Sequence, residues 1–179
     1  DLYSIQGRPS TDSNDNRYID RISSGFSISA SDQYILMNDA TSFLIEPKIQ
    51  FSSVFSSDRT DEVPNRDSAE FRLDQANLFL NNQFQGRDNI QENNRLNLGI
   101  TSLVMTENLG DINFFIGQSQ KVSGTQKNVT LANEDRQSHI INSIDWNPSE
   151  MYKFSWFSLY NHHNFKSDTS DFNFNGSFN

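Results

Sequence analysis

Apolar and polar side chains alternate one for one through several stretches of this chain. Between residues 42 and 55 the odd positions are mostly apolar, whereas the even positions include Glu46, Lys48 and Gln50. Successive side chains of a β-strand point to opposite faces, so the pattern predicts a strand with one apolar and one polar face. The pattern recurs in residues 17–30, 95–104, 112–116, 138–146, 152–160 and 172–178. The sequence therefore predicts roughly six or seven antiparallel strands and no helix.

The composition does not suit a dry core between two packed layers. Only 34% of the 179 residues are hydrophobic and the mean hydropathy is -0.69, yet the chain contains 15 Phe. Disordered chains are poor in aromatic residues, whereas strands with one apolar face are rich in them. The composition therefore favours ordered strands whose polar face contacts water.

The predicted connections between strands alternate in length. Residues 57–94 and 122–137 are long connections, 105–111 and 147–150 are short, and 162–169 are intermediate. Outer-membrane barrels have short periplasmic turns, longer extracellular loops, and strands that face lipid on one side and a wet lumen on the other. The predicted fold is all-β, an antiparallel up-and-down transmembrane β-barrel segment with too few strands to close a large barrel. A soluble antiparallel β-sandwich that acts as a binding module is the alternative.

The barrel interpretation assigns the two sides of each strand to lipid and to the lumen. The residues expected to face lipid are Phe43, Ile45, Ile49, Phe51, Leu96, Leu98, Ile100, Ile112, Phe114, Ile116, Phe154 and Trp156. Asn97 is expected on the wet side. Phe114→Arg or Ile100→Arg should then cost about 2–4 kcal/mol, and Asn97→Arg much less.

Residues 57–94 are predicted to form a long loop that is extracellular or folds into the lumen. Its second part, residues 77–94, mixes Leu78, Phe79 and Leu80 with many Asn and Gln residues. These apolar side chains are unfavourable in a free loop, whereas amides can both donate and accept hydrogen bonds. We therefore expect residues 77–94 to be ordered and to bend inward over the lumen. A solvated loop that covers the barrel mouth is the alternative.

Charge and residue types argue against several functions. The net charge of -9, with 14 Lys and Arg residues dispersed among acids, argues against a nucleic-acid partner. The chain has no Cys for disulfides, thiolate zinc sites or a nucleophile. The neighbouring His162 and His163 do not by themselves indicate a metal site, and the acids of residues 58–67 lack the spacing of a calcium loop.

Catalysis is not supported by the sequence, because no nucleophile-elbow glycine pattern frames any Ser. We predict no catalytic residue, no metal and no cofactor. An outer-membrane barrel hydrolase that uses His139 or His163 and a passive porin are the functional alternatives.

Three segments resemble the LptD family, the lipopolysaccharide-assembly protein of Gram-negative outer membranes. They are "EPKIQF" (residues 46–51), "NLFLNNQFQGRDNIQENNRLNLGITS" (77–102) and "FFIGQSQ" (114–120). The family has a Glu-Pro-Arg strand, a loop with Leu-Phe-Arg and Phe-x-Gly-x-Asp-Arg-Ile that runs into a Gly-x-Thr-Ser strand, and an Ile-Gly-Gln strand. Leu80 and Asn89 stand where the family usually has Arg. The resemblance is densest over residues 45–120.

The resemblance implies a piece from the middle of a large barrel in the cell outer membrane of a Gram-negative bacterium. Residues 1–179 would belong to one barrel domain that inserts lipopolysaccharide into the outer leaflet, with the lateral gate outside this segment. The implied partners are lipopolysaccharide, outer-membrane lipid, an LptE-like plug lipoprotein in the lumen, and a periplasmic Lpt bridge reached through an N-terminal domain. The candidate lumen or plug contacts are Phe84, Gly86, Arg87, Asp88, Asn89 and Ile90. The start at Asp1, without Met or a targeting segment, is expected for an internal piece of a longer precursor.

Overall fold

The structure, a computed structural model, describes residues 23–56, 69–70, 72–81, 84–85, 94–124 and 137–177. This described part contains the strands β1 (Ser23–Ser31), β2 (Tyr34–Met37), β3 (Thr41–Ser56), β4 (Ala69–Glu70), β5 (Phe84–Gln85), β6 (Asn94–Thr106), β7 (Gly110–Ser123), β8 (Ile140–Ser149), β9 (Tyr152–Tyr160) and β10 (Ser167–Gly176). Within these ranges, no helix has the length and apolar character needed to span a membrane.

Eight strands form one antiparallel sheet in the order β1-β3-β6-β7-β8-β9-β10, with β2 also paired to β3. Ser31 of β1 pairs with Lys48, and Tyr34 of β2 pairs with Ile45, so β1 and β2 lie end to end along β3. The order follows the chain, as expected for strands joined by hairpins. Among the described strands the sheet does not close on itself, and its edges there are β1–β2 and β10. The predicted all-β antiparallel barrel segment is confirmed.

Three short turns lie at one end of the sheet, which we call the short-turn end. They comprise residues 38–40, 107–109 and 150–151. Asn38 Oδ1 accepts hydrogen bonds from the backbone N–H groups of Ala40 and Thr41, and Gly110 has a φ of 71°. Such turns join neighbouring antiparallel strands closely. The connections between β3 and β6, β7 and β8, and β9 and β10 start and end at the opposite end, the long-connection end.

Some strand boundaries differ from the sequence prediction. The predicted turn at 147–150 is shorter, because β8 continues through a bulge between Trp146 and Ser149. β2 was not predicted, since its four residues are all apolar and lack alternation. Residues 17–22 of the first predicted strand lie outside the described residues.

The sheet has two chemically different faces. We call the face that carries the odd residues of β3 and the even residues of β6–β10 the apolar face, and the other the polar face. The strand registers keep apolar side chains on the same face from strand to strand. Ile49 pairs with Leu98, for example, and Ile100 pairs with Ile116. The described hydrophobic core lies on the polar face, against residues that precede β6.

Candidate functional site

The twelve residues expected to face lipid all lie on the apolar face. They occupy odd positions of β3 and even positions of β6, β7 and β9, and the ladder registers keep them on one side. Ile49, Leu98 and Ile100 are 44%, 45% and 44% exposed, although they are large and apolar. None of the twelve belongs to the described hydrophobic core. Within the described ranges, the dry core between two sheets that a sandwich requires is not present.

Aromatic side chains cluster on the apolar face near the short-turn end. Trp146 stacks on Phe154 with ring centroids 5.1 Å apart, and Phe154 lies 4.8 Å from Phe174. Tyr152 stacks on Phe174 at 6.1 Å. Trp146 Nε1 donates a hydrogen bond of 2.8 Å to the Leu109 carbonyl in the neighbouring turn. Aromatic girdles of this kind are typical of the membrane–water boundary of outer-membrane barrels.

Residues 72–81, which we call the inner segment, fold onto the polar face. The backbone N–H of Asp74 donates to Asn77 Oδ1, and the backbone N–H of Asn77 donates to Asp74 Oδ1, both at 2.9 Å. Asn77 Nδ2 also donates to the Arg72 carbonyl at 2.6 Å. Asn77 is 6% exposed, so its amide pairs backbone groups that burial removes from water. This local network lets the chain turn while Leu78 enters the core.

The inner segment and the sheet together form a small hydrophobic core. Leu73 and Leu78 pack with Phe115 of β7, Ile141 of β8 and Leu159 of β9. All five are buried, and Leu78 and Ile141 are 0% exposed. Complete burial of a large apolar side chain contributes about 1.5–3 kcal/mol. Apolar burial therefore holds the inner segment against a face that is otherwise polar.

Two glycines allow this close approach. Gly99 of β6 pairs directly with Gly117 of β7 on the polar face. A Cβ atom at Gly99 would lie 2.9 Å from Phe79 Cζ, and one at Gly117 would lie 2.6 Å from Leu78 Cδ2. Both distances are too short for two carbon atoms in contact. Without side chains, the two glycines leave a flat surface, which we call the glycine slot, on which the inner segment packs. Close approach of another part of the chain is a common reason for glycine inside a strand.

Side chains from β3 and β6 bind the second half of the inner segment. Gln50 Nε2 donates to the Phe79 carbonyl at 3.0 Å. Arg95 Nη2 donates to the carbonyls of Leu80 and Asn81 at 3.0 and 2.8 Å. These bonds satisfy backbone oxygens where the segment leaves the core.

Cationic side chains add contacts at both margins of the inner segment. Lys48 Nζ lies 4.5 Å from the Phe79 ring centroid, and the Arg72 guanidinium carbon lies 4.0 Å from that of Phe157. Arg72 also forms an ion pair with Asp171 of β10. The Arg72 and Asp171 side chains are 47% and 57% exposed, and exposed ion pairs contribute about 1 kcal/mol or less. The segment therefore reaches from β3 to the edge strand β10.

A row of hydrogen-bonded side chains crosses three strands beside the inner segment. Asn97 Nδ2 donates to Gln50 Oε1 at 2.9 Å, and Ser119 Oγ donates to Asn97 Oδ1 at 2.6 Å. The Ser119 backbone N–H donates to Ser138 Oγ at 2.9 Å. Asn97 is 0% exposed. The expectation that Asn97 faces water was wrong, because the fold buries this part of the polar face.

The histidines lie at the long-connection end. His139 is 8% exposed, and its Nε2 lies 2.5 Å from Asp168 Oδ2 of β10. His162 and His163 occupy the turn between β9 and β10, with ring centroids 3.9 Å apart. Among the residues described, His, Asp and Glu form no group of three or more that could hold a metal ion. The His139–Asp168 pair links the start of β8 to β10.

The six candidate lumen or plug contacts are largely beyond what the structure describes. Only the backbone of Phe84 is placed, in β5, where it pairs with Glu70. Gly86, Arg87, Asp88, Asn89 and Ile90 lie outside the described residues. The described inward contacts come from the inner segment.

Sequence reasoning missed the apolar residues of the polar face. Phe115, Ile141 and Phe157 are each the second member of an apolar doublet, Phe114–Phe115, Ile140–Ile141 and Trp156–Phe157. A doublet places one apolar side chain on each face of a strand. Doublets on three neighbouring strands were the signal that something apolar covers the polar face.

These features define a class of protein: a wall segment of an antiparallel β-barrel of the outer-membrane type, with one bare apolar face and one polar face that carries an inner segment. A family model described as LptD, LPS transport system D, matches residues 1–178. The chain belongs to the LptD family, which confirms the resemblance found in its motifs.

Similar proteins with curated names agree with this family. The LPS-assembly protein LptD of Pseudomonas savastanoi pv. phaseolicola (strain 1448A / Race 6) is 38% identical over 64 residues, which are 36% of this chain and 7% of that protein. The LPS-assembly protein LptD of Pseudomonas putida (strain GB-1) is 36% identical over 76 residues, 42% of this chain and 8% of that protein. Each match thus covers less than a tenth of the relative's length.

Proposed function

We propose that this chain is part of the barrel wall of a lipopolysaccharide translocon, which inserts lipopolysaccharide into the outer leaflet of a Gram-negative outer membrane. Membership of the LptD family supports this proposal. The observation that carries it is the single sheet with one exposed apolar face and one polar face bearing the inner segment. A wall with lipid on one side and a wet lumen on the other needs this division.

In this proposal the apolar face contacts membrane lipid through the twelve residues from Phe43 to Trp156 named above. The short-turn end faces the periplasm, and the aromatic cluster around Phe154 lies at that boundary of the bilayer. The long-connection end faces the cell exterior. The polar face lines the lumen, with residues 77–94 folded inward over it.

The inner segment narrows the lumen, and its exposed side chains are those of Arg72, Ala76 and Leu80. An LptE-like plug lipoprotein is the proposed partner on this side, with Phe84, Gly86, Arg87, Asp88, Asn89 and Ile90 as candidate contacts. Lipopolysaccharide would arrive over a periplasmic Lpt bridge, through a domain outside this chain. The matched family is described by transport and not by catalysis.

Labelling of cysteines introduced into this chain, with the unsubstituted full-length protein as the background, tests the orientation of the wall in cells, because the chain itself has no Cys. Cysteines at Ile100 and Ile116 should react with a lipid-soluble maleimide and resist a charged one. Cysteines at Asn173 and Lys153, which are exposed on the polar face, should react with the charged reagent. Equal reactivity of both sets with the charged reagent would contradict a membrane wall.

Depletion of the full-length protein tests the function itself. Loss of lipopolysaccharide from the cell surface on depletion, with rescue by the wild-type gene, is the expected result. Normal surface lipopolysaccharide after depletion would instead support the passive porin, which planar-bilayer conductance would then measure. Deletion of residues 80–90 should weaken plug crosslinking and raise permeability to bulky antibiotics. If both readouts stay unchanged, residues 80–90 neither contact the plug nor restrict the lumen.

A further inference from the structure

A row of four side chains crosses the polar face at the long-connection end. Ser27 of β1 pairs with Ser52 of β3, Ser52 pairs with Arg95 of β6, and Arg95 pairs with Lys121 of β7. Side chains directly opposite each other in a ladder lie on the same face and within reach of one another. The row therefore combines two hydroxyls with two cations.

The centre of this row is buried and incompletely paired. Arg95 is 2% exposed and Ser52 is 0% exposed. Within the described part of the chain, Arg95 Nε, Arg95 Nη1 and Ser52 Oγ have no hydrogen-bond partner, since Arg95 uses Nη2 alone for the inner segment. Buried polar atoms without partners are unfavourable, and a guanidinium with two unused nitrogens is especially so.

The charges of the row are also unbalanced. Arg95 and Lys121 are like charges in directly opposite positions, which destabilises a ladder. In the described ranges, no carboxylate forms an ion pair with either cation, and the three ion pairs found there join other residues. An anion bound between Arg95 and Lys121 would neutralise both cations and accept hydrogen bonds from the free N–H groups.

We propose that Ser52, Arg95 and Lys121 form a binding site for a phosphate group. A phosphate ester carries about 1.5–2 negative charges near pH 7 and several acceptor oxygens, which match two cations and a hydroxyl better than a single carboxylate does. Arg95 Nε and Nη1 and the Lys121 ammonium donate hydrogen bonds to the phosphate oxygens, and so does Ser52 Oγ. Lys121 is half-buried and is the more accessible of the two cations.

Inorganic phosphate is the first probe, because it tests the site whether or not the proposed function holds. Calorimetry on the purified full-length protein in a phosphate-free buffer should detect saturable binding. Arg95→Gln should weaken binding at least tenfold, and Lys121→Gln and Ser52→Ala should weaken it by smaller factors. Lys166→Gln removes one positive charge from the β9–β10 turn and should bind phosphate as the wild type does.

Three results would overturn the site: no phosphate binding by the wild-type protein, equal loss in the Lys166→Gln control, or equally strong binding of acetate. Gel heat-modifiability identifies variants that do not fold. If Arg95→Gln is among them, unchanged phosphate affinity in both Lys121→Gln and Ser52→Ala would also overturn it.

Competition identifies the source of the phosphate. Displacement of inorganic phosphate by native lipopolysaccharide, but not by lipopolysaccharide treated with a phosphatase, would support a glycolipid phosphate as the ligand. Displacement by neither would support a free phosphate ion at the same residues. Both results retain the site, and neither alters the cell-surface assay of the proposed function.

Discussion

The two halves of the polar face differ although the same strands run through both. Toward the long-connection end the inner segment covers the sheet, and Asn97 and Phe115 are 0% and 1% exposed. Toward the short-turn end the face is more open and carries charge. There Lys153 lies 3.7 Å from Asp145, with side chains 53% and 33% exposed.

The difference shows that burial on this face comes from coverage and not from the strands. Where the inner segment lies, the sheet carries Gly99 and Gly117, the apolar Phe115 and the neutral amide of Asn97, and the buried Arg95 donates hydrogen bonds to the segment through Nη2. In the open half, water solvates the charged side chains, so the Lys153–Asp145 ion pair lies at the surface. Substitutions in the covered half should therefore cost more stability than substitutions in the open half.

The largest effect is expected from a cavity in the covered half. Phe115→Ala removes a ring that packs with Leu73 and Leu78, and should lower the free energy of unfolding by about 3–5 kcal/mol. Leu103→Ala, in the open half, should cause a clearly smaller loss. Urea unfolding of the full-length protein in detergent measures both. Equal losses would mean that the two halves are packed alike.

A charge on the apolar face is expected to have the next largest effect. Phe114→Arg should destabilise the barrel by about 2–4 kcal/mol, because the proposed orientation of the wall places this cation against lipid. Asn173→Arg, at an exposed position of the open half, is the matched control and should be nearly neutral. Heat-modifiability on gels reports the folded fraction. A similar loss for both variants would contradict the assignment of the two faces.

Filling the glycine slot should loosen the inner segment without destroying the sheet. Gly117→Ala adds a carbon 2.6 Å from Leu78 Cδ2, and the resulting overpacking should cost about 1–3 kcal/mol. Gly176→Ala makes the same change where the nearest atom, Phe174 Cζ, lies 3.3 Å away. Amide hydrogen exchange of residues 72–81 should rise only in Gly117→Ala. Unchanged exchange would show that the segment does not depend on this slot.

The smallest effect is expected at the exposed margin of the covered half. Arg72→Gln removes the ion pair with Asp171, and the loss should be about 0.2–1 kcal/mol and decrease at high salt. Asp171→Asn should cause a smaller loss, because Arg72 keeps its contact with the Phe157 ring. Adding the second substitution to the first should then cost little, and a double-mutant cycle measures this. Fully additive losses would mean that the two side chains do not interact.

The sequence predicted much of the sheet because the physics that forms it is local. Alternation assigned the faces of β3, β6, β7 and β9, since a two-residue period directly gives the side of the sheet on which a side chain lies. β2 escaped this reasoning, because four consecutive apolar residues have no alternation. Its pairing with β3 follows from the tight turn at residues 38–40.

The candidate site was less predictable because it depends on contacts between distant residues. The sequence predicted that apolar and amide residues after position 77 bend inward, but not that Asn97 would be buried. Burial of Asn97 requires Gln50 and Ser119 at neighbouring ladder positions. Alternation gives the face of a residue and carries no information about what covers it.

The hydrogen bonds of Asn97 bear on how this part of a barrel assembles. A slip of two residues between β3 and β6 keeps every side chain on its correct face, so apolar burial alone barely opposes it. The same slip would move Gln50 opposite Arg95 or Gly99 and would leave a buried amide without its partner. A slip between β6 and β7 would likewise separate Gly99 from Gly117. The covered half therefore favours the native strand register, because misaligned strand pairs would lose these contacts even though their apolar side chains would stay on the apolar face.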